Sequence, residues 1–396
     1  MEPERLARGG AVWALGVGQT LAYAAMFYIF AALILPWQAA LGWDKASFAL
    51  GPTLAIAISA ALAPLAGRMV DRGRGPELLT GGAVLGALAL VWLAQVGTLR
   101  GWLTGWAVIG VAQAACLYEV CFAFLIRRLG PAARAAIVRV TLVAGFASTL
   151  AFPAGAALAE LVGWRGAVIA AAAVLVLVVA PMNHIAANAI RRRAPPPRPG
   201  AAEADRGSLR RALGHPGFWL LGLVFSLIGL NHWMIVSFLV PIFVQQGAAT
   251  ATAVLAASLV GPAQVLGRLV LMRFETRIGT IAAARFTLVG MLAAVALLWG
   301  TGLSPMLAFA YAITQGAAAG VMTILRPVMI AETLGQAGYG TIAGVIQIPP
   351  LLAMALAPLV GGLMLDGPGL GALIWLSLGL GLASVAAVVA LGRFGR

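Results

Sequence analysis

The sequence predicts an all-α integral membrane protein of about twelve spanning helices, arranged as two pseudo-symmetric six-helix bundles. Three observations carry this. The chain is 62% hydrophobic and 10% charged, with a mean hydropathy of +0.99, a composition that matches polytopic membrane proteins and not water-soluble globules. Its apolar stretches recur in lengths of about 20 residues, which is what an α-helix needs to cross ~30 Å of hydrocarbon. The one long stretch that no bilayer could hold, Asn188 to Pro216, falls near the middle of the 396 residues.

That central stretch sets Arg191, Arg192, Arg193, Arg198, Arg206, Arg210 and Arg211 among Pro195, Pro196, Pro197 and Pro199. Such a composition favours a solvated, extended linker over a packed core. It divides the chain into an amino-terminal bundle (1–187), the linker (188–216) and a carboxy-terminal bundle (217–396).

In the first half the apolar stretches place spans at 11–35, 47–67, 77–97, 102–126, 135–160 and 166–187. Arg5 and Arg8 before the first resemble a signal peptide, but the apolar run reaches Leu35, longer than a signal core needs, so it is read as an uncleaved span. The second half places spans at 217–244, 250–272, 281–300, 304–329, 339–364 and 370–392. Trp37, Trp43, Trp102, Trp164, Trp219 and Trp299 lie near span ends, where amphipathic rings anchor in the interface.

A net charge of +14 in a soluble protein would suggest nucleic acid. Here the bilayer is the partner, and basicity reports topology. With the amino terminus inside, 23 of the 26 basic residues fall on inner segments, and only Lys45, Arg100 and Arg165 fall outside. This asymmetry places both termini and the linker in the cytoplasm. The near-absence of lysine suggests GC-rich bacterial coding, hence a bacterial inner membrane. Cys116 and Cys121 are the only cysteines, both in an apolar segment, and are read as small buried hydrophobes.

A repeat runs through the chain. Gly67-Arg68 after the second span returns as Gly267-Arg268 after the eighth, each with a proline upstream (Pro64, Pro262), and Leu129-Gly130 returns as Leu334-Gly335. A constant spacing of about 200 residues suggests duplicated units related by an axis along the membrane normal, with the substrate site at their interface near mid-membrane.

With these features the sequence resembles the major facilitator superfamily over essentially its whole length. The residues that carry the resemblance are Gly67, Asp71 and Arg72 in GRMVDRGRG, similar to that family's loop motif between spans two and three, and Ala357-Pro358-Leu359-Val360-Gly361-Gly362 in span eleven. The copy between spans eight and nine keeps Gly267 and Arg268 but has Leu271 where the Asp would stand. The resemblance implies a carrier that rocks two bundles about a cavity lined by spans one, four, seven and ten, with Gly67, Asp71 and Arg72 in a cytoplasmic gate. The family's proton-driven drug exporters usually carry an arginine early in span four. This chain has Trp106 there, and Phe152-Pro153-Ala154-Gly155 replaces the full antiporter bend in span five. Arg326 in the second half gives some resemblance to the organic-anion and monocarboxylate branch.

Ionisable side chains inside spans cost a few kcal/mol each and call for a reason. Glu119 lies about 12 Å inside the inner end of span four at ~1.5 Å per residue. Ala112, Ala115, Cys116 and Ala123 at turn spacing would leave room beside it, and burial of a carboxyl favours its neutral form, as proton coupling requires. The alternative is a structural ion pair, with Arg139 of span five as its partner. Arg326 lies about 9 Å from the inner end of span ten, within two positions of Glu119's counterpart in the repeat. Gln315, Ala319, Met322 and Arg326 would form one stripe, whose guanidinium offers a planar donor fork to an anion; the alternative is an inner-gate or snorkelling arginine. His232, flanked by Asn231 and Trp233 in span seven, could relay protons or simply pack. Gln19, Tyr23, Met26 and Phe30 share one face of span one, fit to line a cavity or to pack.

The reading is a secondary active transporter moving a small organic anion, coupled to protons, with Arg326, Gln315, Met322, Gln19, Tyr23, Asn231 and His232 binding substrate and Glu119 with Arg139 coupling the proton. The alternatives are a proton-driven exporter of a lipophilic or cationic compound, and a non-transporting sensor on a carrier scaffold. No acid, base and nucleophile cluster points to an enzyme. No phosphate loop supports ATP hydrolysis and no metal-ligand spacing occurs, so no cofactor is expected. A cavity between two halves of one chain needs no second copy, so a monomer is expected.

Overall fold

Inside a bilayer there is no water to bond to a bare peptide, so a spanning segment must satisfy its own backbone. The computed structural model describes residues 2–43, 45–194, 205, 207–274 and 277–392. Among the described residues the regular structure is all helical.

The chain runs through α1 (Glu2–Ala7), α2 (Gly10–Tyr23), a π-helical segment (Ala24–Tyr28), α3 (Ile29–Leu41), α4 (Lys45–Asp71), α5 (Gly75–Leu93), α6 (Leu99–Cys116) and α7 (Tyr118–Leu129). A 3-10 turn (Gly130–Ala132) leads to α8 (Ala133–Ala144), α9 (Ala147–Val174), a second π segment (Leu175–Val179) and α10 (Ala180–Arg193). Then follow α11 (Ser208–Leu213), α12 (Pro216–Val236), α13 (Leu239–Gln245), α14 (Thr250–Ser258), α15 (Val260–Phe274) and α16 (Thr280–Gly300). The last four are α17 (Met306–Leu334), α18 (Tyr339–Ile346), α19 (Ile348–Asp366) and α20 (Leu370–Leu391).

Ten helical stretches among the described residues are long and apolar enough to cross a membrane. One of them, Leu99–Arg193, has 95 residues, several times what one crossing needs. It is divided at the 3-10 turn and again at Gly163, whose φ of 73° interrupts α9. Counting its three parts separately gives the twelve expected spans.

The chain forms two compact units. The first holds Met1–Leu209 and Gln336–Val345, the second Arg210–Gly335 and Ile346–Arg396. In the first unit α6 packs on α4 and α5, while α2 packs on α8 and α10. In the second, α17 packs on α15 and α16, and α12 packs on α19 and α20. The repeat is visible in the packing of small residues. A Cβ on Gly110 of α6 would sit 2.6 Å from the Ala55 carbonyl oxygen of α4, and about 200 residues later one on Gly316 of α17 would sit 2.5 Å from that of Val260 of α15. Glycine lets each pair of helix backbones touch.

Two expectations change. Trp37, Trp102 and Trp164 are not interface anchors: they are 1%, 1% and 8% exposed. Trp37 meets Trp102 edge-on at 4.8 Å, and Trp106, where the exporter arginine would stand, joins the same cluster against Phe30 at 5.7 Å. Large apolar rings that meet one another bury more area than rings lying singly at a headgroup boundary. Trp219 and Trp299 are exposed as an anchor would be. The segment expected to begin an extended linker at Asn188 is instead helical through Arg193. Arg191, Arg192 and Arg193 occupy the last turn of α10, where positive charge opposes the negative end of the helix dipole. Residues 195–204 and Arg206 lie outside the described residues.

Candidate functional site

Spans one and four are both irregular at the same place. In span four, α6 ends at Cys116, Leu117 is extended (φ −85°, ψ −166°), and α7 begins at Tyr118. Glu119 therefore stands in the first turn of a new helix. In span one, α2 gives way after Tyr23 to the π segment. Two buried glutamines cross between these irregularities. Gln19 Nε2 donates to the Cys116 carbonyl at 2.7 Å, and Gln113 Nε2 donates to the Met26 carbonyl at 2.9 Å. The Tyr23 and Tyr118 rings meet at 4.5 Å, and Tyr118 stacks on Phe122 at 4.8 Å.

Glu119 itself is exposed, not buried as its place in the apolar run suggested. The turn at Leu117 rotates α7 relative to α6, so the helix-face spacing to Ala112, Ala115 and Cys116 does not carry across. Gln19 is wholly buried and Tyr23 half-buried. Arg139 donates Nη1 to the Ala135 carbonyl one turn earlier on its own helix at 2.6 Å. Gln113, an amide inside an apolar span like Gln19 and Gln315, was not among the expected site residues although it carried the same signal. The break at Leu117 carried none, since neither Gly nor Pro marks it.

In the second unit the expected stripe on α17 faces α12. Gln315 Nε2 lies 3.1 Å from His232 Nδ1. Three turns along α17, the Arg326 guanidinium stands over the Phe225 ring at 5.1 Å, and Met322 between them is buried. With Gln315 as the donor, Nδ1 accepts and the ring proton resides on Nε2. Asn231 does something else. Its Nδ2 donates to the Ser377 carbonyl at 3.2 Å, and the Ser377 hydroxyl donates to its Oδ1 at 2.5 Å. That side chain ties α12 to α20.

The loop motif after span two is a helix cap built from a distance. Asp71 accepts from the Gly340 N–H at 2.9 Å, the Thr341 N–H at 2.8 Å and the Thr341 hydroxyl at 2.8 Å. These are donors of the first turn of α18, which a carboxylate suits in both hydrogen bonding and dipole. Gly67 makes the approach possible, since a Cβ there would fall 1.9 Å from the Gly340 carbonyl oxygen. Arg127 lies 4.0 Å from Asp71 and 2.9 Å from Asp205, whose Oδ1 accepts from the Gly338 N–H at 2.6 Å. Neither Arg127, Asp205 nor Thr341 was expected here. Arg72, expected in the gate, is exposed. In the repeat, Arg268 is 4% exposed and bonds to the Gly320 carbonyl at 3.4 Å, while Leu271 replaces the aspartate. The second copy of the motif is thus a packing element of α15 and α17.

The sequence matches the family described as the Major Facilitator Superfamily over residues 15–349. Among curated proteins no sequence matches it significantly. Solved structures similar to it include the Major Facilitator Superfamily transporter FucP in the outward conformation, with a TM-score of 0.74 at 14% identity over 97% of this chain and 98% of that one. The E. coli fucose:proton symporter FucP gives a TM-score of 0.71 at 15% identity over 97% and 98%. A bacterial homologue of the iron transporter ferroportin, in the outward-facing state, gives 0.72 at 14% identity over 97% and 100%. At such identities the likeness is one of fold.

Proposed function

The chain belongs to the Major Facilitator Superfamily of transporters, and not to an enzyme family, and we propose that it is a proton-coupled secondary transporter of a small organic anion. The observation that carries this reading is Glu119, an exposed carboxylate at the head of α7 within an apolar span. Facing lipid it would be costly, so it belongs beside a water-filled path, where it can take up or release a proton. The proton coupling named for the E. coli fucose symporter, which shares the fold, supports the same reading. Arg326, held over Phe225, supplies the fixed positive charge for an anionic group. If protonation of Glu119 and binding of the anion are linked, each strengthens the other. The excess of basic residues on the inner segments supports a bacterial inner membrane, with both termini cytoplasmic.

A second reading is export of a lipophilic cation, favoured by the rings of Tyr23, Tyr118 and Phe122 around Glu119. A thermal-shift panel of carboxylates, sugars and lipophilic cations on the purified protein, with Arg326→Ala and Glu119→Gln, separates the two. Stabilisation by an anion that disappears in Arg326→Ala supports the anion carrier. Stabilisation by a cation that depends on Glu119 replaces it with the exporter. If Glu119→Gln leaves pH-dependent flux of the identified substrate intact, proton coupling at this residue is wrong.

A further inference from the structure

The bonds of Gln19 and Gln113 are reciprocal. Each glutamine sits on one irregular span and satisfies a carbonyl at the irregularity of the other. A regular helix would give the Cys116 carbonyl the N–H of Val120, four residues on. With Leu117 extended that geometry is lost, and the Gln19 amide stands in for it. In span one the π segment shifts the bonding pattern, and the Gln113 amide reaches the Met26 carbonyl. All four residues are between 0% and 4% exposed, and at membrane depth a carbonyl without a donor is costly. Among the described residues, the buried Gln19 Oε1 has no hydrogen-bond partner. A side chain that tolerates an orphaned acceptor is there for the bond its other end makes.

We propose that Gln19 and Gln113 are positioning residues, a clasp that keeps the break of span four and the π segment of span one in being together, and so holds Glu119 at the start of α7. The proposal rests on Glu119 as the coupling group. At the extended Leu117 the Gln19 amide supplies the Cys116 carbonyl with a donor, and in the π segment the Gln113 amide supplies one to the Met26 carbonyl. Removing either amide makes the regular helix the better-bonded state for its target span. The Tyr23 and Tyr118 rings, in contact at 4.5 Å, tie the two targets to each other. Loss of one glutamine therefore regularises both spans, Glu119 leaves its first-turn position, and the two spans act as one element.

Hydrogen exchange read by mass spectrometry on the full-length protein in lipid nanodiscs tests this. The variants are Gln19→Met and Gln113→Met, close to isosteric, with Thr20→Val as a control whose hydroxyl bonds its own helix, at Gly16. In each glutamine variant the amides of residues 117–121 and those of the π segment both exchange about tenfold more slowly, while the control matches the wild type. Gln113→Glu can donate to Met26 only when protonated. Corrected for intrinsic rates, it follows the wild type at low pH and Gln113→Met at high pH, which a loss of packing alone would not produce. Slowing confined to one span, faster exchange, or no change overturns the clasp. Flux with Glu119→Gln is read separately: unaltered pH dependence there removes the coupling role while leaving the exchange result standing.

Discussion

The Asp71 carboxylate holds Thr341 twice, accepting its N–H and its hydroxyl at 2.8 Å each, across 270 residues of sequence. With Gly340 as a third donor, this one side chain does for α18 what a residue of its own chain neighbourhood usually does for a helix. Hydrogen bonds to a charged acceptor are among the stronger ones, and Asp71 is 7% exposed. Asp71→Ala should lower the stability of the purified protein by about 3 kcal/mol, and Asp71→Asn by less, since one oxygen remains to accept. Thermal unfolding in detergent measures both. Equal, negligible shifts would mean that the cap does not hold α18.

Gly67 and Gly340 should be intolerant of a side chain. A Cβ on Gly340 would lie 2.4 Å from the Gly67 carbonyl oxygen, so the two backbones must part. Gly67→Ala and Gly340→Ala should each destabilise as much as Asp71→Ala or more, while Gly81→Ala, with nothing within 4 Å, should be neutral. The same unfolding assay ranks the three.

Asp205 ties the end of the linker to Arg127 and to the Gly338 N–H. Its removal should free the arginines around it. Asp205→Asn is expected to raise the rate of limited trypsin cleavage after Arg210 or Arg211 about tenfold, as followed by mass spectrometry, because cleavage tracks the population of the released segment. An unchanged rate would show that the contact does not restrain this segment.

Trp106 is 1% exposed and packs on Trp102 and Phe30. Trp106→Ala should cost about 3–5 kcal/mol through lost contacts and the cavity left behind. Trp219, 63% exposed, should tolerate alanine with little change. Placing arginine at 106 should be worse than alanine, since it would put a guanidinium among the rings of Trp102 and Phe30; expression and thermal unfolding read the order.

Much of this was legible in the sequence. Span number followed from apolar length, the duplication from Gly67-Arg68 and Gly267-Arg268, and the special status of Asp71 from the motif around it. Asp71 shows the limit as well. The motif marked it, yet its partners Gly340 and Thr341 could not be read, because no local pattern records which distant helix start a carboxylate will meet. His232 and Gln315 were singled out separately as polar groups on apolar spans, and only the packing of α12 on α17 pairs them.

The sequence by itself determined the class of solvent, the number of crossings and the chemistry available inside them, because burial in lipid acts on every residue where it stands. Tertiary structure alone decided that span four breaks at Leu117, that Glu119 is exposed at the head of α7, and that Asn231 serves Ser377. Those outcomes depend on which distant group supplies a missing hydrogen bond. The break at Leu117 has neither glycine nor proline to mark it, and the Gln19 amide that meets the Cys116 carbonyl comes from another helix.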